Sequence, residues 1–477
     1  MTTATIPNPL PVVIQGGMGV AVSDWKLARA VSLAGGLGVV SGTALDAVFA
    51  RRLQDGDLDG STRRAMAAFP NQEIVERILN RFFIEGGKAE SDSYAPTPKL
   101  GMNMTPVQSE VSVVANFVEV WLAKENHDGL VGINFLEKVQ MATPAAAYGA
   151  LLAGVDFVLM GAGIPAEIPG LLNRLTKHET AELGVDVDGA TSNYKITIDP
   201  QAIMGTKLAD LKRPMFLAIV SGHVLANYLY KDPVTRPDGF VVEGPTAGGH
   251  NTPPRGALQL DETGQPIYGP RDIVDMEKMA AIGLPFWLAG GYSTPESVVE
   301  VRSQGAVGVQ VGTLFALSTD SGLRSDLRSR MHTQLRTEVL DVRTDPKASP
   351  TGFPFKVVTM DGTVSENETY EDRPRLCDLG YLRVPFEKKP GAFGYRCPAE
   401  PTDVWIRKGG EPEAAENRKC LCNGLMAAVD LGQTRPDGFV EQPLLTLGSD
   451  LAGAKQLIQI HPDGWDAPTA VKYLLSA

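Results

Sequence analysis

Cysteine is scarce in this chain: four occur in 477 residues, all of them late, at Cys377, Cys397, Cys420 and Cys422. That excludes the disulfide framework of a small secreted protein. The spacing is also poor for zinc, which favours closely repeated pairs, so ordinary thiols are expected and no metal site. Positive charge is in deficit, with 44 Lys and Arg against 56 Asp and Glu, a net charge of −12 and a pI near 5.1. Such a field disfavours nucleic acid and anionic membrane as partners, and an anionic ligand would need local donors. Long apolar runs are missing too; none approaches the roughly 20 residues that span a bilayer. The opening residues, MTTATIPNPLPVV, have no basic segment followed by an apolar one, so no secretory signal is expected. A cytoplasmic protein acting on a small molecule is the expectation; its oligomeric state is left open. There is no HxH or HExxH spacing, no G-x-S-x-G turn and no Walker-type phosphate loop.

Glycine, by contrast, is ordered. A ten-residue pattern recurs as LAGGLGVVSG (33–42), LAGVDFVLMG (152–161), AIGLPFWLAG (281–290) and SQGAVGVQVG (303–312). Each has a glycine at the third place, suited to a left-handed helix end, then an apolar strand, then a glycine at the tenth place. Helix stop, buried strand and exit glycine are the grammar of βα units with a parallel sheet covered on both faces. Eight such strands can be counted: VVIQG, LGVVSG, VGINFL, DFVLMG, MFLAIVSG, GFVVEG, PFWLAGG and VGVQVGT. They fit a closed α/β TIM (β/α)8 barrel better than an open sheet, and function would then sit on the loops after the strands. A long insertion, 43–130, follows strand two as a packing extension or a lid over the strand ends. A cysteine-containing C-terminal extension, 336–477, follows the barrel of 1–335.

The stretch DGFVVEGPTAGGH (238–250) places His250 beyond a strand end, behind a glycine-rich turn that includes Gly248. Gly17 and Met18 end the first strand. Gly290 and Gly291 end the seventh, and Gln310, Gly312 and Thr313 the eighth, the two loops where barrels commonly hold phosphate. Asn134 is a polar amide in an apolar strand; it faces inward only if Ile133 and Phe135 face the helices, and it then needs partners. Glu243 poses the same question. His223 is a weaker competitor for the site, whereas His127, His178, His332 and His461 are expected on the surface.

IQGGMGV, GGLGVVSG, GINFL, DFVLMGAGIP, EGPTAGGHN, LAGGY and VGVQVGTLFA, in that order, resemble the nitronate monooxygenase (2-nitropropane dioxygenase) family, related to FMN-dependent enoyl-acyl-carrier-protein reductases. The resemblance covers roughly residues 11–320, excluding 43–130. It implies an FMN flavoprotein oxidoreductase with Gly17, Met18, Asn134, Glu243, Gly248, Gly290, Gly291, Gln310, Gly312 and Thr313 against the cofactor, and His250 as the catalytic histidine that takes the α-proton of a nitroalkane or steadies the anionic nitronate. The implied reaction is oxidation of a nitronate or nitroalkane by O2 to a carbonyl compound and nitrite. An NAD(P)H-dependent enoyl reductase and a non-catalytic flavin- or partner-binding module are the alternatives. Two positions depart from the pattern: Glu243 stands where the monooxygenases usually have Gln, and Thr246 where both groups usually have an acidic residue.

Overall fold

The structure, a computed structural model, describes residue 4 and residues 6–477. The barrel strands in the first half are β1 (Val13–Gln15), β2 (Gly38–Ser41), β3 (Val131–Leu136) and β4 (Phe157–Gly161). A hairpin of β5 (Ala181–Val185) and β6 (Tyr194–Ile198) intervenes outside the sheet. The remaining barrel strands are β7 (Met215–Val220), β8 (Gly239–Glu243), β9 (Phe286–Ala289) and β10 (Gly308–Val311). All eight pair in parallel in the order β1-β10-β9-β8-β7-β4-β3-β2. The ring closes between β1 and β2 through a parallel bridge from Ile14 to Leu37. There the Gln15 side chain extends the ladder: Oε1 accepts from the Val39 N–H at 3.0 Å and Nε2 donates to the Val39 carbonyl at 3.1 Å. The (β/α)8 barrel expected from the sequence is the observed fold.

Period-two alternation explains the two cores. Ile14, Val39, Leu159, Leu217 and Trp287 point into the barrel and form a cluster of their own. Their neighbours Val13, Val40, Val158 and Phe216 join the larger core under the helices. Trp287, fully buried inside the barrel, satisfies its indole N–H on the Pro11 carbonyl at 2.7 Å. The third-place glycines of the repeat are all left-handed, Gly35, Gly154, Gly283 and Gly305 having φ of +87°, +75°, +81° and +96°. This is the helix-ending geometry that a side chain would strain.

The insertion divides in two. Its last helix, Pro106–Lys124, is almost wholly buried against the helices Trp25–Leu33 and Thr143–Leu152, where a crossover helix between β2 and β3 belongs. Gly149 lets the second contact close, since a Cβ there would overlap the Val113 carbonyl. Residues before it add the helices Leu45–Gln54, Ser61–Ala67 and Gln72–Phe82 along the barrel's side.

The extension carries the antiparallel pairs β11 (Val342–Asp345) with β12 (Phe355–Val358) and β13 (Val384–Lys389) with β14 (Ala392–Arg396). Its last helix, Ala467–Leu474, packs on the barrel helix Trp25–Leu33. Long-range polar contacts tie extension to insertion: Arg51 Nη2 meets Asp378 Oδ2 at 3.1 Å, and the Tyr381 hydroxyl donates to Asp46. Among the described residues, no helix is long and apolar enough to cross a membrane.

Candidate functional site

The strands run so that their C-terminal ends meet at one mouth, and the largest set of site residues meets there. Gly17, Met18, Asn134, Glu243, Gly248 and His250 line a single cavity of about 240 Å3, together with Gly290, Gly291, Gln310, Gly312 and Thr313. Every residue singled out in the sequence is therefore brought to one place except His223, which opens the helix His223–Lys231 and does not line the cavity.

Strand alternation aims the amides. Ile133 and Phe135 are buried among the helices, as are Val309 and Val311, so Asn134 and Gln310 turn into the ring. Asn134 Nδ2 donates to the Gly17 carbonyl at 3.2 Å. Its Oδ1 and the Oε1 of Gln310 are buried with no partner. Two such acceptors at one cavity cost of the order of 1–3 kcal/mol each unless water or a ligand supplies donors. Gly17 is bare for a steric reason: a Cβ would overlap the Cβ of Asn134. Backbone strain gathers at the same place, with Ala44 and Ala162, both in the cavity wall, at φ of +59° and +61°.

The ionisable groups are shifted in opposite directions. Burial pushes the Glu243 carboxyl up to about 8, so it is protonated at neutral pH and can donate as well as accept. It also faces a second cavity, of about 430 Å3, shared with Ser221, Tyr268 and Asp272. Burial, assisted by the nearby Lys138 charge, pushes the His250 imidazole down to about 4. His250 is held by an antiparallel bridge to Phe355, whose ring meets the imidazole edge-on at 4.9 Å, and by Ser349 Oγ, 2.7 Å from Nε2. Thr351 stands 2.8 Å behind Ser349.

The loops after β9 and β10 bring main-chain N–H groups and a hydroxyl to the cavity. Thr313 Oγ1 accepts from the Gly448 N–H at 3.0 Å, which leaves its own proton to donate. Beside Gly291, a built Cβ would lie 3.3 Å from Thr246 Oγ1 and 3.5 Å from Asp450 Oδ2. Thr246 Oγ1 and, from the extension, Asp450 Oδ2 thus both stand beside Gly291.

Residues 218–348 match the family model described as nitronate monooxygenase. The resemblance seen in the sequence holds over the stretch that carries Glu243, His250 and the loops after β9 and β10, and an oxidoreductase is its coarse meaning. No curated protein matches the chain. Among solved structures, FabK from Thermotoga maritima is 15% identical, with 98% of this chain and 92% of that one covered and a TM-score of 0.48. Nitroalkane oxidase from Streptomyces ansochromogenes is 15% identical over 98% and 95%, with a TM-score of 0.43. The enoyl reductase domain of MlnA from Bacillus amyloliquefaciens is 11% identical over 98% and 93%, with a TM-score of 0.49. Likenesses of that degree carry no functional argument.

Sequence reasoning missed the part of the cavity that the extension builds. Phe355, Leu382, Leu421, Leu425 and Leu447 line it, and no motif marks them. The main chain of 446–449 is stitched to the glycine turn: Gly249 N–H donates to Thr446 Oγ1 and Ser449 N–H to the Thr246 carbonyl, each at 2.9 Å. Gly248 permits this approach, since a Cβ there would come within 2.9 Å of the Leu447 carbonyl carbon.

Two histidines expected at the surface are buried. His178 lies between the Tyr148 hydroxyl at 2.8 Å and the Ala209 carbonyl at 2.9 Å. His332 bonds the Leu317 carbonyl and stacks on Trp465. Polar neighbours in sequence misled, because both ring nitrogens can be satisfied inside a core. The four cysteines, spread over residues 377–422, converge on one cavity of about 10 Å3, all as free thiols. Burial holds Cys397 and Cys422 well above the usual thiol range and Cys420 at about 11. Among the described residues no group of three or more His, Cys, Asp or Glu is placed to hold a metal ion.

Proposed function

We propose that the chain is an FMN-dependent oxidoreductase of the nitronate monooxygenase type, converting a nitroalkane or nitronate with O2 to a carbonyl compound and nitrite. The observation that carries this is the pair of orphaned acceptors, Asn134 Oδ1 and Gln310 Oε1, in one cavity with the glycine loops and His250. The single N3–H of an isoalloxazine and the hydroxyls of the ribityl chain are donors of the kind those oxygens lack. Gly17, Met18 and Gly248 would take the cofactor's flat body against bare backbone. Gly290, Gly291 and Gly312 would hold its phosphate through main-chain N–H groups, with the Thr313 hydroxyl. Bound FMN would supply the redox chemistry with O2.

His250 is the base. Its depressed pKa keeps it neutral across the working range, so a nitrogen lone pair is free for a substrate α-proton. Ser349, at hydrogen-bond distance from Nε2, can donate or accept, so it serves either tautomer and can pass the proton on. A weak base gains strength when negative charge develops beside it, and a nitroalkane losing its α-proton develops that charge on the nitro oxygens.

Glu243 is the observation that favours the second reading, an NAD(P)H-dependent enoyl reductase. Its protonated carboxyl, however, presents one donor and one acceptor, as the amide of Gln does. The departure from the monooxygenase pattern is chemically small. The test is an anaerobic titration of the FMN-loaded protein with nitroethane and, separately, with NADPH. Bleaching by nitroethane, followed by nitrite on admission of air, is expected. Bleaching by NADPH alone would transfer the chain to the reductases, and a protein that never takes up FMN would refute both.

A further inference from the structure

Away from the barrel mouth, the extension gathers a second group of chemistry-bearing side chains. Cys377, Cys397, Cys420 and Cys422 all line one void of about 10 Å3. Each of their six pairs is close enough for charge on one sulfur to act on the other. Each sulfur also has beside it a main-chain N–H that favours the thiolate. These belong, in the order of the cysteines, to Gly380, Ala399, Asn423 and Leu382. Hydrogen bonds of this kind tune thiolate-bound metal centres. Left alone the thiols stay protonated, because burial raises all four. A bound metal would displace those protons.

The charges around the void are largely positive. Arg375 and Arg383 line it, and the charges of Lys99, Arg373 and Arg418 act on Cys377, Cys420 and Cys397 respectively. Lys99 donates to the Cys377 carbonyl at 2.7 Å, Arg383 to the Gly380 and Leu100 carbonyls, and Arg418 to the Ala414 and Ser349 carbonyls. None of those partners is a carboxylate. Arg375 meets the Thr402 hydroxyl at 3.4 Å, and its Nε and Nη2 are buried with no partner. Arg373, its side chain 1% exposed, stands 3.3 Å from Glu441, yet none of its three nitrogens makes a hydrogen bond. The acids nearby are already engaged. Glu400, which lines the void, is held by Lys408 at 2.6 Å, and Arg435 bridges Asp378 and Glu441. Buried guanidinium groups with unmet donors are costly, and here they surround four thiols.

Four thiolates on one centre would meet that charge. A single ion holds its sulfurs about 2.3 Å away and leaves no void between them. Among the described residues no three such groups are placed to hold one ion. In a four-iron, four-sulfide core each cysteine binds its own iron, so the ligand sulfurs stand further from the centre and from one another. A void lined by all four cysteines fits that arrangement. We propose that the extension holds a four-iron, four-sulfide cluster ligated by Cys377, Cys397, Cys420 and Cys422, with Arg373, Arg375 and Arg383 balancing its negative charge. Each cysteine gives up its proton on binding iron, and four thiolates outweigh the two positive charges of the oxidised core. Spacing along the chain hides such a site, because folding brings its ligands from separate turns. Leu382, Leu421 and Cys422 line both this void and the barrel-mouth cavity, so the cluster is the neighbour of that cavity. The reaction proposed above does not depend on it.

The test is made on the whole chain, purified without oxygen and, if iron is short, reconstituted with a ferrous salt and sulfide. Iron and acid-labile sulfide are expected in equal amounts, about four of each per chain. Dithionite should then raise the electron paramagnetic resonance signal of a reduced cluster. Cys397→Ser and Cys420→Ser should each lose that signal, with circular dichroism checking that they fold. Arg375→Gln keeps all four ligands and should move the midpoint potential to more negative values, because the reduced cluster loses a neighbouring cation. Zinc in place of iron, iron without sulfide, or full loading of both serine variants would overturn the inference. So would four thiols still open to a thiol reagent in the unfolded protein after reconstitution. These readouts use neither FMN uptake nor nitrite, so the cluster and the oxidoreductase stand or fall separately.

Discussion

The cavity has a floor of strand ends and a wall of insertion and extension, and the two are held by different forces. The floor is backbone: eight strands in register, glycine turns, and amides forced inward by alternation. Its atoms are fixed by main-chain hydrogen bonds on both sides of every strand. The wall is side chain: leucines on the helix Leu421–Ala427 and on the segment around Leu382, held by a few long-range contacts such as Tyr381 to Asp46. A floor of that kind suits positioning of reacting groups, and a wall of this kind can change its lining residues without disturbing the ladder. The difference places His250 and the inward amides next to the backbone-held floor and leaves the shape of the rest of the cavity to the wall.

The comparison breaks first at His250. His250→Ala should cut nitrite release by about 10²- to 10⁴-fold while the flavin spectrum of the bound cofactor persists, measured by steady-state assay and visible absorbance. A variant of undiminished rate would remove chemistry from the floor. Gly17→Ala comes next, because its Cβ would overlap the Cβ of Asn134, an atom carried rigidly by β3. FMN affinity should fall at least about tenfold and stability by about 1–3 kcal/mol, read by fluorescence titration and urea denaturation.

The floor also has a pH signature. The Glu243 carboxyl is raised from 4.5 to about 8, so between those values the folded protein holds a proton that the unfolded chain has lost. Stability from this group is present below pH 4.5 and is lost as pH rises through 8. Glu243→Gln should therefore be more stable than the parent at pH 8, by something on the order of 2 kcal/mol, with the gap closing towards pH 4.5. His250, lowered from 6.5 to about 4, works oppositely: its contribution is present above 6.5 and lost as pH falls through 4. Urea midpoints of the cofactor-free protein across that range check both. The smallest expected effect lies at the rim, where Asp450 Oδ1 accepts from the Ala452 N–H at 3.0 Å and Oδ2 stands beside the Gly291 loop. Asp450→Ala should cost up to about 1 kcal/mol of stability, as one exposed side-chain-to-backbone hydrogen bond is lost ahead of the helix Ala452–Ile460. It should also tighten FMN a few-fold relative to riboflavin, because a negative charge leaves the neighbourhood of the phosphate loops.

The floor was readable from residues because its signals are local. A glycine at the third place of each ten-residue repeat had to be left-handed for the helix to end there, and Gly35, Gly154, Gly283 and Gly305 are. Asn134 faced inward once Ile133 and Phe135 were given to the helices, since a strand has two faces and no third, and in the structure Gln310 does the same between Val309 and Val311. The wall offered nothing comparable. Leu382, Leu421 and Leu425 look like any core leucine, and the insertion looked like an appendage until its last helix proved to be the crossover between β2 and β3.

Order along the chain, then, determined the barrel, the strand from which each polar group projects, and the glycines that leave room for a ligand, because these follow from backbone sterics over a few residues. Tertiary structure alone decided that Asp450 would stand beside Gly291, that the thiols of Cys377 and Cys422 would share a cavity, and that His332 would stack on Trp465. It alone gave Glu243 a proton and took one from His250. Those outcomes depend on which distant side chains exclude water from a group, and burial is a property of the packed molecule rather than of any stretch of its sequence.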